Sequence, residues 1–201
     1  ANAEERATDI VNGEIDNFVE LRDRLRRRGY EFKTRSDSEV VVHGYCEWGA
    51  DVLEHLEGQF AIAVWDVEQR RLLLARDRFG EKPLYWAPLS GGGLAFASDL
   101  RALVRYPGVD DSVDPAALAR YLVYEYTPAP YSIVRGVNKL AAGEALVVRL
   151  DSVTPVDMDS DQVQALSGML RDQAANSVGS ELTCFALWAA RSSSTVIHPI
   201  K

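Results

Sequence analysis

Between Gly58 and Trp86 the chain reads GQFAIAVWDVEQRRLLLARDRFGEKPLYW, which holds its longest apolar runs. In an extended chain successive side chains alternate between faces, so Phe60, Ile62 and Val64 fall on one side and Ala61, Ala63 and Trp65 on the other. Both faces are apolar, so a strand here has to be covered on both sides. Asp66-Val67-Glu68-Gln69 interrupts the run before Leu72-Leu73-Leu74-Ala75 resumes it, the pattern of a hairpin closed by a four- or five-residue loop. The rest of the chain is organised around this central pair, which Arg76-Asp77-Arg78-Phe79-Gly80 terminates.

A length of 201 residues suits one domain or one and a half, and 47% hydrophobic with 26% charged residues can bury a core. No apolar run approaches the ~18 residues of a membrane span, and the opening ANAEERATD is not a secretory signal, so a cytoplasmic protein with no membrane partner is expected. A formal charge of -8 disfavours nucleic acid, and Arg24, Arg26, Arg27 and Arg28 read as a solvated helix face. Cys46 and Cys184 have neither CxxC nor His-Cys ligand spacing, so neither a disulfide scaffold nor a metal site is expected.

In chain order, Ala1 to Thr8 is polar and should fray. Asp9-Ile10-Val11 reads as a short strand delivering Asn12-Gly13 to a helix marked by Ile15, Phe18, Val19, Leu21 and Leu25 and stopped at Gly29. Taken alone, the Asn-Gly pair at that junction is a turn. Glu31 to Thr34 resembles a short strand. Ser36-Asp37-Ser38-Glu39 has the form of a capping box, Ser36 at N-cap and Glu39 at N3, for a helix through Val40, Val41, Gly44, Tyr45 and Trp48. His43 and Cys46 on that helix read as a surface or half-buried pair, and Ala50 to Leu56 continues as a short helix. Pro83 to Trp86 and Leu94 to Ala97 are strands joined through Ser90-Gly91-Gly92-Gly93, which lacks the Lys and the helix of a phosphate loop. Asp99 can cap a helix over Leu100 to Tyr106. Asp114-Pro115 opens another through Tyr124, which Thr127 to Pro130 stops. Ile133 to Leu140 is a loop and Ala145 to Leu150 a closing strand. From Asp151 the composition turns polar, as in a linker with one helix over Asp161 to Ala174.

Four blocks in order, NGEIDNF from Asn12, SDSE from Ser36, LLLARDRFGEKPLYW with GGGLAFASDLRALV, and GVNKLAAGEAL from Gly136, resemble the glutamine-hydrolysing domain of asparagine synthetase, a class II glutamine amidotransferase. The resemblance covers roughly residues 10 to 150. It implies an α+β fold, a four-layer αββα sandwich of the N-terminal-nucleophile hydrolase type, here incomplete at its first strands. The domains implied are 1–150, a partial amidotransferase domain, and 151–201, a linker with the possible start of a synthetase domain. By the resemblance, the Asn12 side-chain amide and the Gly13 N–H form an oxyanion hole, Asp37 binds the α-ammonium of glutamine, and Glu14 belongs to the same substrate site. The types suit the chemistry: a tetrahedral intermediate needs two preorganised donors about 3 Å from its oxygen, and an ammonium needs a carboxylate.

The family's nucleophile is an N-terminal Cys whose own α-amine is the base. Residue 1 here is Ala, and no Cys-Gly-Ile start or Arg-bearing carboxylate segment precedes Asn12. An inactive chain that binds glutamine weakly or not at all is therefore expected, either a scaffold or assembly remnant or a fragment of a longer enzyme, with self-association or a synthetase-domain partner. Asp16 and Glu81 stand where the family has apolar or aromatic residues. ATP and Mg are expected only of a complete synthetase domain: Leu187 to Val196 resembles its pyrophosphate loop only in a leucine and trailing serines, the cradling glycines being absent.

Overall fold

The computed structural model describes residues 6–90, 93–152 and 191–199. Its centre is the hairpin expected from the apolar runs, β2 (Gly58–Asp66) and β3 (Arg71–Arg76), antiparallel with Ala61 opposite Arg76 and Asp66 opposite Arg71. β1 (Ala7–Ile15) pairs with the free side of β2. β7 (Glu144–Ser152) pairs with the free side of β3, and β8 (Arg191–Pro199) completes a five-stranded sheet in the order β1-β2-β3-β7-β8. A second sheet is built from β4 (Tyr85–Pro88), β5 (Leu94–Ala97) and β6 (Asn138–Lys139), in the order β5-β4-β6.

The two faces of β2 separate two cores. Phe60, Ile62 and Val64 pack, with Leu73 and Ala75, under the helical layer: α1 (Phe18–Arg26), α2 (Glu39–Trp48) and a 3-10 turn over Gly49–Glu54, which contribute Leu25, Val41, Tyr45 and Val52. Ala61 and Ala63, with Leu72, Leu74 and Leu146, meet Leu84, Leu94, Phe96 and Leu140 of the second sheet. The small alanines leave room there for Phe96 and the half-buried Trp65 and Trp86. The outer face of the second sheet, Ala87, Ala95 and Ala97, is covered by Leu103 of α3 (Leu100–Leu103) and by Tyr106. Helix, sheet, sheet, helix is the four-layer αββα order, so the expected α+β class is correct.

Caps explain the later helices. Asp99 accepts from the Arg101 N–H at 2.8 Å, and Asp114 accepts from the Ala116 N–H at 2.7 Å to open α4 (Pro115–Tyr124). α3 is shorter than expected, and β4 starts two residues late.

Four local readings need correction. Asn12-Gly13 is not a strand-to-helix junction, since both residues lie within β1, opposite Ala61 and Phe60, and α1 starts only at Phe18. Ile15 thus belongs to the strand, although it falls in helical phase with Phe18. No strand forms over 31–34, because the Glu39 carboxylate takes the Lys33 and Thr34 N–H groups at 2.7 and 2.9 Å. For the same reason the Ser36/Glu39 capping box does not close: the helix is preceded by Ser38, with no side-chain cap. His43 is buried, edge-on to Phe32, and is not a surface residue. The helix expected over Asp161 to Ala174 lies outside the described residues, as do Leu187 to Ala190 of the degraded pyrophosphate loop. Arg191 to Val196 of that loop is β-strand.

Candidate functional site

Hydrogen-bond phase decides which way each peptide group of β1 points. The Phe60 carbonyl accepts from the Asp77 N–H at 2.8 Å, so Phe60 faces β3, and its neighbours Gln59 and Ala61 face β1. In β1, therefore, Asn12 and Glu14 are bonded to β2, whereas the backbone groups of Asp9, Val11, Gly13 and Ile15 point off the outer edge. The Ile15 N–H is met there by Asp37 Oδ2 at 2.8 Å. The Gly13 N–H, two residues earlier, faces outward beside it.

Gly13 can occupy this position because it has no side chain. Its φ is +131°, and a Cβ would stand 1.9 Å from the Gln59 carbonyl oxygen. Gly58 is the reciprocal case, with φ +147° and a Cβ 2.2 Å from the Glu14 carbonyl oxygen. The two glycines let the ends of β1 and β2 close on each other. The sequence reading missed Gly58, whose signal was a glycine between polar residues at the start of a strand.

Side chains alternate across β1. Ala7, Val11 and Ile15 pack into the helix-side core and Ile10 into the inter-sheet core, so by the same alternation the half-buried Asn12 and the exposed Glu14 lie on the inter-sheet side. Asp37 reaches the strand from the turn before α2, its Oδ1 accepting from the Ser38 N–H at 2.9 Å. The structure thus brings Asn12, Gly13, Glu14 and Asp37 to one end of β1, at the sheet's edge.

Asp9, also missed, belongs to the same edge by its odd position. It is out of place by type, an acid in phase with Ala7, Val11 and Ile15. Its Oδ2 is buried with no hydrogen-bond partner. Burial pushes its pKa up to about 7; its own N–H opposes that rise and the charge of Asp37 adds to it. The folded chain keeps a proton that the unfolded chain releases above 3.8, so the stabilising contribution is full below pH 4 and is lost as pH rises to about 7. We expect Asp9→Asn to raise unfolding free energy at pH 8 by about 2 kcal/mol and to change it little at pH 4. Denaturant unfolding at both pH values checks this, and equal effects at the two would refute it.

A nucleophile is not among the described site residues. The Cys46 carbonyl accepts from Arg6 at 3.1 Å, which places Cys46 by the start of β1. About 20 Å of extended strand separates Arg6 from Asn12. Burial also pushes the Cys46 thiol up, against the pull of Arg6, which disfavours the thiolate. Cys184 lies outside the described residues. Among the described residues no cluster of His, Cys, Asp and Glu could hold a metal ion, and no helix is long and apolar enough to cross a membrane.

Residues 1–158 match the family of glutamine amidotransferase domains. The chain belongs to that family, in the form carried by asparagine synthetases. It is 36% identical over 215 residues to a protein named as a glutamine-hydrolysing asparagine synthetase in Mycobacterium bovis, covering 97% of this chain and 33% of that protein. It is 36% identical over 147 residues to asparagine synthetase (glutamine-hydrolysing) 3 of Bacillus subtilis, covering 73% and 24%. The chain therefore spans a third or less of these relatives. A solved structure of glutamine phosphoribosylpyrophosphate amidotransferase from B. subtilis, complexed with ADP and GMP, superposes with a TM-score of 0.46 at 20% identity, covering 71% of this chain and 27% of that one.

Proposed function

We propose that the β1 edge is the glutamine site of an asparagine-synthetase amidotransferase domain. Gly13 N–H and the Asn12 carboxamide are the donors for a developing oxyanion, Asp37 is the ligand of the substrate ammonium, and Glu14 lies in the same site. The observation that carries this is the outward Gly13 N–H next to a carboxylate anchored by the Ile15 N–H. Donors fixed by a strand need no reorganisation as charge develops, and losing one such donor typically costs about 10²–10³ in rate.

In the whole protein, ammonia released here passes to an ATP-activated aspartate, and ATP and Mg belong to the synthetase portion. The thiol that attacks the carboxamide is neither Cys46 nor Cys184, so the 201-residue chain holds glutamine weakly and does not hydrolyse it. The test follows backbone amides by NMR as glutamine is added up to tens of millimolar, with ammonia release measured in parallel. The Gly13 and Ile15 amides should shift in the wild type and not in Asp37→Asn, and no ammonia should appear. Shifts that survive Asp37→Asn would remove Asp37 from the site. Turnover abolished by Cys46→Ala or Cys184→Ala would make an internal thiol the nucleophile.

A further inference from the structure

The chain between α1 and α2 forms no strand, and charged side chains of both helices hold it instead. From α2, the Glu39 carboxylate accepts from the Lys33 and Thr34 N–H groups at 2.7 and 2.9 Å and from the Thr34 hydroxyl at 2.6 Å. Thr34 Oγ1 in turn accepts from the Ser36 N–H at 3.1 Å. From α1, Arg22 Nη2 donates to the Ser36 carbonyl at 2.7 Å. Ser36 is therefore gripped at both its N–H and its C=O. That carbonyl lies in the rigid peptide plane leading into Asp37, so fixing it fixes the direction in which the Asp37 side chain leaves the backbone.

Arg22 is out of place as a packing residue. It is 9% exposed, its Cζ lies 5.4 and 5.2 Å from the Phe18 and Phe32 rings, and its buried Nε has no hydrogen-bond partner. Burying a guanidinium with a donor unmatched is unfavourable, and an apolar side chain of similar length usually packs as well or better. What the guanidinium adds is its reach to the peptide ahead of Asp37. Glu39 is equally committed: burial raises its pKa, but the Thr34 hydroxyl and the Lys33 and Thr34 N–H groups bring it down to about 2, so the clamp is charged at neutral pH.

We propose that Arg22, together with Glu39, positions Asp37 for the ammonium of glutamine, an inference that rests on the reading above. Both are positioning residues: they act through the Ser36–Asp37 peptide. Their effect is to hold Asp37 Oδ2 on the Ile15 N–H, 2.8 Å away, before any ligand arrives. A group that meets the substrate loses about 10²-fold when it is misplaced by about 1 Å.

The test measures amide hydrogen exchange in the 201-residue chain and, beside it, the shift of the Gly13 amide as glutamine is added. Arg22→Met keeps the apolar stem and removes the donor. It is expected to keep the Tm at or above that of the wild type, to speed exchange of the Ile15 amide about tenfold with Leu73 of β3 unchanged, and to weaken glutamine about tenfold. Glu39→Gln, which gives up one of the two acceptor oxygens, should move Ile15 in the same direction, and it carries the comparison if Arg22→Met does not fold. Arg71→Met removes donors to the Tyr45 hydroxyl at 3.2 and 2.8 Å, at the end of the sheet away from Ile15, and should leave Ile15 as in the wild type. Unchanged Ile15 exchange in both Arg22→Met and Glu39→Gln overturns the proposal. So does equal acceleration at Ile15 and Leu73 with a lower Tm, which makes the two residues packing elements only, or an equal effect of Arg71→Met on Ile15. Faster Ile15 exchange in the variants, with no glutamine response in the wild type, leaves Arg22 holding Asp37 and removes the amidotransferase reading. A wild-type glutamine response that survives Arg22→Met unchanged removes only the positioning role.

Discussion

Asp77→Ala is expected to lower the unfolding free energy by about 3–5 kcal/mol, because three backbone N–H groups of one loop together lose bonds to a charged acceptor, each worth about 1.5–3 kcal/mol at most and less where water can replace it. Asp77 is 1% exposed. Its Oδ1 accepts from the N–H groups of Phe79 and Glu81 at 3.0 and 3.1 Å, and its Oδ2 from Lys82 at 3.1 Å. The main chain of the same residue accepts from the Gly80 and Gly143 N–H groups at 3.0 and 2.8 Å. Alanine keeps those backbone bonds and orphans the other amides in a loop folded around a carboxylate. Arg76 holds the loop from its other side, donating to the carbonyls of Gly80, of Lys82 and, at 2.8 Å, of Leu140. The expected shift in Tm is about 10 °C at the usual 2–4 °C per kcal/mol for a chain of this size. Asp77→Asn, which keeps one acceptor, should fall between. A Tm for Asp77→Ala within about 2 °C of wild type, the shift that about 1 kcal/mol produces, would mean that the loop amides find other partners.

Gly13→Ala is the second large effect. A non-glycine residue held at φ +131° costs about 1–3 kcal/mol in strain, and a methyl 1.9 Å from a backbone oxygen cannot be relieved by a rotamer change. The strands must part, which weakens the bonded pairs Asn12–Ala61 and Glu14–Gln59 on either side. Gly29 is the control: its φ is +94° but nothing lies within 4 Å of its Cβ position, so Gly29→Ala bears the dihedral strain alone. We expect about 3 kcal/mol for Gly13 and about 1 kcal/mol for Gly29 by thermal or denaturant unfolding. Equal losses would falsify the close approach as the cause.

What the sequence made legible was whatever period and type encode together. The two-faced run from Phe60 to Trp65 placed β2 between two cores, and Asp99, Asp114 and Pro115 marked the helix starts where they occur. Boundaries failed where two periods coincide, as at Ile15, which satisfies both helix and strand spacing. They failed also where a side chain overrode the backbone's own pairing, as Glu39 does at Lys33 and Thr34. The positions of the site residues came from resemblance. What makes Gly13 distinctive, a donor pointing off a sheet edge opposite a second glycine, depends on strand order and register, which are set by contacts far apart in the chain. Asp9 escaped for the same reason: its burial follows from helices that pack over β1, and its own neighbours do not encode it.

Asp37 has a further consequence, for how occupancy and order are linked. Three of its lone-pair directions are taken, by the Ile15 and Ser38 amides and, at 3.5 Å, by the Ser36 hydroxyl, which leaves one for a cation. One carboxylate fastens the end of β1 to the start of α2 and, in the function proposed above, would also receive the ligand. A cation bound there holds down residues 13–15 through the same oxygen atoms, and fraying of those residues weakens the cation by an equal free energy, because such couplings are reciprocal. The strand end is thereby a reporter of its own ligand: tighter binding must appear as slower opening of β1, and a looser β1 as a weaker site.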